Sequence, residues 1–234
     1  MKYTSILFIV LLVGCATHPR QTGHVVSTEE AVAHLHAQTC CADIRDLPTL
    51  PINEVGASFD FKVTATGKPI GISKGAAYGR LLTLPEDGRT YHFKIESFSS
   101  KIENRRQLFA PIVVVLNDDY SVSRVSSMPM LRVDDENPIW QEREHVTLFV
   151  KVNRKTRPHE RRILITTDPG AYGKYLALRR IQGPEGPIYY VTKLTAEPTS
   201  TLLPHPIQAS PEGELRLTNL SSVMSKPFDH WIMF

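Results

Sequence analysis

The sequence predicts an all-β fold: an antiparallel β-sandwich of jelly-roll or immunoglobulin-like type, with a short N-terminal helix and one short inserted helix. Three observations carry this. Apolar residues alternate with polar ones at period two in several segments. Turn-forming residues recur about every ten positions, a spacing expected of sandwiches. One run, Ile112-Val113-Val114-Val115-Leu116, is continuously apolar and largely β-branched, as expected for a strand buried on both faces.

In chain order, Ser27 and Glu30 form a capping box before Ala31, Val32 and Leu35, so a helix is expected over 27–38. Cys40-Cys41 and the segment Asp46-Leu47-Pro48-Thr49-Leu50-Pro51 end it. Phe59, Phe61 and Val63 then alternate with Asp60, Lys62 and Thr64, and Tyr91, Phe93 and Ile95 with His92, Lys94 and Glu96. Leu148, Val150 and Val152 share one face, as do Ile163 and Ile165, and Leu215 and Leu217 alternate with Arg216 and Thr218. This is the pattern of half-buried strands. Turns are expected at Pro85-Glu86-Asp87-Gly88, Asn117-Asp118-Asp119, Arg157-Pro158, residues 183–187 and Pro211-Glu212-Gly213, in a chain with 17 prolines and 13 glycines. The inserted helix is expected to start at Asp168, as N-cap, with Pro169 in its first turn, and to run toward Leu178.

The N-terminus has its own signature. Lys2 precedes an unbroken apolar run from Ile6 to Val13. That run is far shorter than the ~20 residues of a spanning helix and matches the apolar core of an export signal. It ends in Leu12-Val13-Gly14-Cys15, which resembles the lipobox of bacterial lipoproteins. The resemblance implies cleavage before Cys15, lipidation of its thiol and tethering in the bacterial cell envelope. Stable anchoring takes more than one acyl chain, which a lipidated Cys15 would supply. Ala16, in place of the aspartate that retains lipoproteins at the inner membrane of enteric bacteria, implies the outer membrane, with the chain facing the periplasm. The expected division is a signal peptide over 1–14, a lipid-anchored tether over 15–26 and a single β-sandwich domain over 27–234.

With 234 residues, 41% of them hydrophobic, the chain is long enough for a packed core. Its formal net charge of +3 gives no basic excess of the kind that binds nucleic acid. Cys40 and Cys41 remain once Cys15 is assigned to lipid, and export would put them in an oxidising compartment. Three readings stand: a vicinal disulfide pinning a tight turn, two thiols left reduced or paired between chains, and a metal site with His34 and His36. The His-x-His spacing divides the two rings between different sides of a helix, which weakens the metal reading.

The sequence holds no His-Glu-x-x-His and no phosphate-binding glycine loop. Asp118-Asp119 and Asp134-Asp135-Glu136 read as solvated turns rather than as a glycosidase carboxylate pair or a calcium loop. His145, His159, His205 and His230 are scattered among charged, proline and aromatic neighbours. The expectation is a non-enzymatic protein without a metal or cofactor.

Two clusters are candidate binding residues. Lys151, Arg154, Lys155, Arg157, Arg161 and Arg162 crowd one hairpin and would suit anionic lipid headgroups or an acidic partner, or else guard the hairpin edges against strand addition. Trp140, Tyr172, Tyr175, Tyr189 and Tyr190 would suit a sugar-stacking platform, or else core packing. The terminal Phe234 is shared with outer-membrane barrels, but charged segments such as 161–167 favour a strand docked on a sandwich.

The stretch Leu108-Phe109-Ala110-Pro111-Ile112-Val113-Val114-Val115-Leu116-Asn117 resembles a strand of the maltose operon periplasmic protein family. Cys40-Cys41 ahead of Leu47-Pro48, the run from Leu148-Phe149-Val150 to Thr166-Thr167-Asp168, and Gly213-Glu214-Leu215-Arg216-Leu217 are similar to it in the same order, over residues 38–220. The resemblance implies a periplasm-facing all-β domain associated with carbohydrate uptake, and it names no catalytic residue. The lipobox is a departure from the soluble member of enteric bacteria. The expected function is glycan binding or support of carbohydrate uptake. The alternative is an envelope-complex partner that binds protein through the basic hairpin or a sheet edge.

Overall fold

The computed structural model describes residues 26–52, 54–65, 67–73, 75–102, 105–126, 131–134, 143–183, 186–199 and 206–220. Strands make up 57% of the structure and helices 9%, so the chain has the all-β, sandwich-like fold that the sequence predicts. A five-stranded sheet has the order β1 (Thr49–Leu50), β5 (Arg80–Thr83), β13 (Glu160–Thr167), β9 (Pro111–Asn117) and β10 (Val122–Val125). A ten-stranded sheet begins with β2 (Ser58–Val63), β17 (Gly213–Asn219), β6 (Thr90–Phe98), β12 (His145–Asn153) and β11 (Arg132–Asp134). It continues with β15 (Gly186–Thr195), β14 (Tyr175–Gly183), β16 (Ile207–Ser210), β8 (Arg105–Phe109) and β7 (Ser100–Ile102). A small hairpin joins β3 (Ile70–Ile72) to β4 (Gly75–Ala77). Pairing is antiparallel except for β1 with β5 and β16 with β8, which run parallel.

The alternation read from the sequence decides which side chains meet. Register from His145↔Phe98 to Asn153↔Thr90 sets Leu148, Val150 and Val152 beside Ile95, Phe93 and Tyr91. Leu215 and Leu217 of β17 extend this face, and Leu82, Val113, Val115, Ile163 and Ile165 of the five-stranded sheet complete the same core. The opposite face of the five-stranded sheet is also covered. Leu81, Val114, Leu116 and Leu164 pack there with Leu47 and Ile70, flanked by Ala42, Ile44, Ile72 and Tyr120. Burial on both sides accounts for the unbroken apolar run in β9.

Corners tie the layers together. Ala110 alone separates β8 from β9, so the chain passes from one sheet to the other within two residues. β8 also contacts β17 and β6, because the long sheet curls back toward its own start. At that contact a Cβ on Gly213 would lie 2.7 Å from Phe109 Cβ and 3.0 Å from Phe109 N, a gap that only glycine fits.

The N-terminal helix α1 spans Thr28–Ala37, with Ser27 Oγ accepting from Glu30 N at 3.1 Å. It buries Thr28, Ala31 and Leu35, and Thr28 Oγ1 donates to Gln107 Oε1 of β8 at 2.8 Å. The expected inserted helix is corrected. Asp168 does cap Gly170 N at 2.9 Å, but only a 3-10 turn over Pro169–Ala171 follows. Gly173 takes φ 73° and ends the turn. Tyr175 then opens β14, whose pairing with β15 takes Leu176 and Ala177 into the sheet. Among the described residues no helix is long and apolar enough to cross a membrane.

Candidate functional site

Cys40 and Cys41 follow α1 as a vicinal pair joined across a cis peptide, with Cα atoms 3.1 Å apart. Ala42 N then donates to Pro69 O at 2.8 Å, and Ala42 bridges Ile70 in parallel. Gly71 of β3 leaves room for the pair, since a Cβ there would lie 3.1 Å from Cys41 Sγ. The chain next makes a 3-10 turn over Ile44–Asp46, capped by Asp43 Oδ1 on Arg45 N at 2.9 Å, and enters β1. Between this segment, the loop after β2 and the start of β5 lies a cleft of about 430 Å³, within the ~300–1,000 Å³ range of ligand pockets.

Cys41, Asp43, Asp46 and Pro48 form one wall, and Thr64, Gly67 and Lys68 another. Tyr78, Gly79 and Arg80 form the third. Gly79 runs flush against β13, where a Cβ would meet Leu164 Cδ1 at 3.0 Å and Ile165 O at 3.1 Å. Arg80 shares the strand face of Leu82 by two-residue spacing and pairs with Ile165. It is therefore a cation on the face that builds the core. Its guanidinium is half-buried, donates to Gly79 O at 3.3 Å, and makes no ion pair with a described residue. Burial pulls its pKa below the ordinary arginine value.

Tyr78 is 1% exposed, and its hydroxyl has no hydrogen-bond partner among the described residues. Burial first, and then the charge of Glu212, push its pKa up to about 12, so the hydroxyl keeps its proton at ordinary pH. Glu212 is half-buried and accepts from Ala65 N at 2.7 Å; burial raises its carboxyl above the usual range. Asp43 is matched by Arg45 at 3.7 Å. The cleft thus holds two cations, Arg80 and Lys68, and two aspartates, with no ion pair linking the sets among the described residues. Such walls offer directional donors and acceptors to a small polar ligand.

The basic hairpin is engaged mostly with neighbouring turns and strands of the chain. Glu160, 1% exposed, accepts from Arg124 Nε and Nη2 at 2.9 and 3.1 Å, from Ser123 Oγ at 2.8 Å and from Arg157 Nη1 at 3.2 Å. Arg154 is buried and donates to Pro85 O and, at 3.3 Å, to Pro158 O. Arg161 meets Glu86 at 2.7 Å. Arg162 donates to Asp118 O at 2.8 Å and lies 3.9 Å from the centre of the Tyr120 ring. Lys151 gives its carbonyl to Arg124 at 2.6 Å, and Lys155 is exposed.

The tyrosines are not gathered onto one face. Tyr172 packs on the main core and donates to Ala76 O at 3.4 Å. Tyr175 pairs with Thr195, whereas Tyr189 and Tyr190 pair with Arg180 and Arg179 toward the other end of the same hairpin. As strand neighbours, Tyr189 and Tyr190 point to opposite faces, and Tyr189 packs on the main core. The four described tyrosines do not form a platform, because Tyr172 and Tyr189 serve packing while Tyr175 and Tyr190 lie toward opposite ends of one hairpin.

His34 and His36 are exposed on α1, and no cluster of three metal-ligating side chains exists among the described residues. Cys15, Trp140, Asp135, Glu136, His205, His230 and Phe234 lie outside the described residues. His145 is buried between Glu96 and Asp134, 3.5 Å from each. Sequence reading missed Tyr78, Arg80 and Lys68. The signal for Arg80 was its two-residue spacing from Leu82, legible only once β5 is recognised. No protein-family model matches the chain, and no curated protein matches it.

Proposed function

We propose that the chain is a non-enzymatic lipoprotein of the bacterial cell envelope, anchored through Cys15 and facing the periplasm, whose sandwich binds a glycan in the cleft beside Cys40 and Cys41. The observation that carries the reading is the cleft itself. It combines Arg80, Lys68 and Asp46, which make no ion pair with a described residue, with Pro48 and the cysteine wall, and sugars are recognised by such placed polar groups beside apolar surface. The resemblance to maltose operon periplasmic proteins supports carbohydrate as the ligand class and supplies the association with uptake. The lipobox supports the anchor and the oxidising compartment in which Cys40 and Cys41 would be linked as a disulfide.

The test is a thermal-shift screen of the full chain in detergent against maltodextrins, other glycans and peptidoglycan fragments. A ligand of the folded state raises stability by RT ln(1 + [L]/Kd). A concentration-dependent rise with one sugar class supports the reading, and no rise at millimolar concentration removes it. Radioactive palmitate should label the chain and should fail to label Cys15→Ala. Without reductant, Cys40 and Cys41 should resist alkylation.

A second reading is a protein partner bound at the open edge of the five-stranded sheet. It is favoured by β10, where Val122 and Val125 are 61% and 49% exposed. An open edge offers unpaired backbone groups to another strand. Stoichiometric crosslinking of one envelope protein, abolished by Val122→Lys, would support it.

A further inference from the structure

Arg80 is the least explained charge in the described structure. Inward-facing arginines normally meet a carboxylate, because taking a guanidinium out of water without a counter-charge is costly. The chain provides such partners elsewhere: Arg124 has Glu160 at 2.9 Å and Arg106 has Glu144 at 2.8 Å. Among the described residues Arg80 has only the carbonyl next to it, although Asp43 and Asp46 line the same cleft. Lys68 is exposed on the adjoining wall. A Cβ on Gly67 would be 3.9 Å from Arg80 Nη1, an ordinary contact distance, so Gly67 lies directly beside the guanidinium.

We propose that this cleft recognises the anionic group of an acidic saccharide, held by Arg80 and Lys68, while Asp46 accepts from sugar hydroxyls. The inference rests on the glycan reading and narrows it to sugars bearing a carboxylate or a phosphate. The fork of a guanidinium matches the two oxygens of either group. The anion supplies the missing counter-charge of Arg80. Asp46, with Asp43 already matched by Arg45, gives the ring hydroxyls an acceptor that a bare inorganic anion would not use.

The experiment is calorimetric titration of the full chain in detergent with glucuronate, glucose 6-phosphate, glucose, maltose and inorganic phosphate. The expected result is saturable binding of glucuronate or glucose 6-phosphate at least tenfold tighter than glucose, maltose or inorganic phosphate. The preferred arm identifies the anion as carboxylate or phosphate. Arg80→Gln should weaken that binding at least tenfold. Lys68→Gln, at an exposed position that folding does not require, should weaken it severalfold with an unchanged melting temperature. Lys155→Gln on the distant hairpin should leave it intact. Equal binding of glucose and glucuronate would overturn the inference while leaving the glycan reading standing. So would maltose binding alone. Phosphate binding as tight as that of the sugars would overturn it in favour of a plain anion site, and no binding of any sugar would overturn both. Binding unaffected by Lys68→Gln and Arg80→Gln together would also overturn it.

Discussion

At the scale of single residues, the buried charges divide into those the fold has matched and those it has not. Glu160 is matched. Burial works to raise its pKa, but hydrogen bonds from Arg124 and Ser123, with the Arg124 charge and Arg157, outweigh burial and hold the carboxyl below its usual range. A depressed carboxyl stabilises the folded state above its unfolded pKa of ~4.3 and loses that contribution as pH falls through the folded value. Glu160→Ala should cost about 3–5 kcal/mol, since it strands Arg124. Thermal melts of Glu160→Gln below pH 4 should show a smaller acid-induced loss than those of the parent. Glu212 has the opposite sign. Its raised carboxyl is comfortable when protonated and costs stability as pH rises through the folded value. Glu212→Gln keeps an acceptor for Ala65 N and should melt higher than the parent at pH 7. That advantage should vanish near pH 4, and a lower melting point at pH 7 would contradict the assignment.

At the scale of elements, the corners and caps are the sensitive points. Gly213→Ala drives a methyl into Phe109 where β17 crosses β8, and overpacking of this kind costs about 1–3 kcal/mol. For a chain of this size each kcal/mol moves the melting temperature by ~2–4 °C, so calorimetry should read a clear drop. Ser27→Ala removes the cap on Glu30 N and should cost about 0.5–2 kcal/mol. The helix cap was legible in the sequence because capping is local, within four residues. The inserted helix was not, because Asp168 and Pro169 open a 3-10 turn as readily as a longer helix. Here the β14–β15 pairing, not the starting signal, set the length.

For the whole molecule, two apolar clusters on opposite sides of one sheet are the main consequence of the fold. Leu164 faces the outer cluster and Ile165 the main core, one residue apart. Leu164→Ala and Ile165→Ala should each cost about 2–5 kcal/mol in denaturant titrations. A sheet covered on one side only would lose stability in Ile165→Ala alone. The outer cover is also what builds the cleft, since the segment carrying Cys41, Asp43 and Leu47 crosses the sheet edge beside β5 to reach it.

By itself, the sequence determined that the segments around residues 59–63, 91–95, 112–116, 148–152, 161–167 and 215–218 are strands, which face each presents, and that β9 is buried on both sides. Side chains alternate along a strand with period two, so that information is complete within a few neighbouring residues. The sequence also showed the helix cap and the vicinal position of Cys40 and Cys41. Only the tertiary structure decided strand order, the two parallel pairings, and which charges meet. Arg124 finds Glu160 and Arg216 finds Asp60 across long separations in sequence. The cleft belongs to this second class. Cys41, Lys68 and Arg80 carry no shared local pattern; they converge because Ala42 bridges Ile70 and β1 pairs with β5. Pairing register between distant segments, rather than the chemistry of any one of them, brings Arg80 into the wall of the cleft.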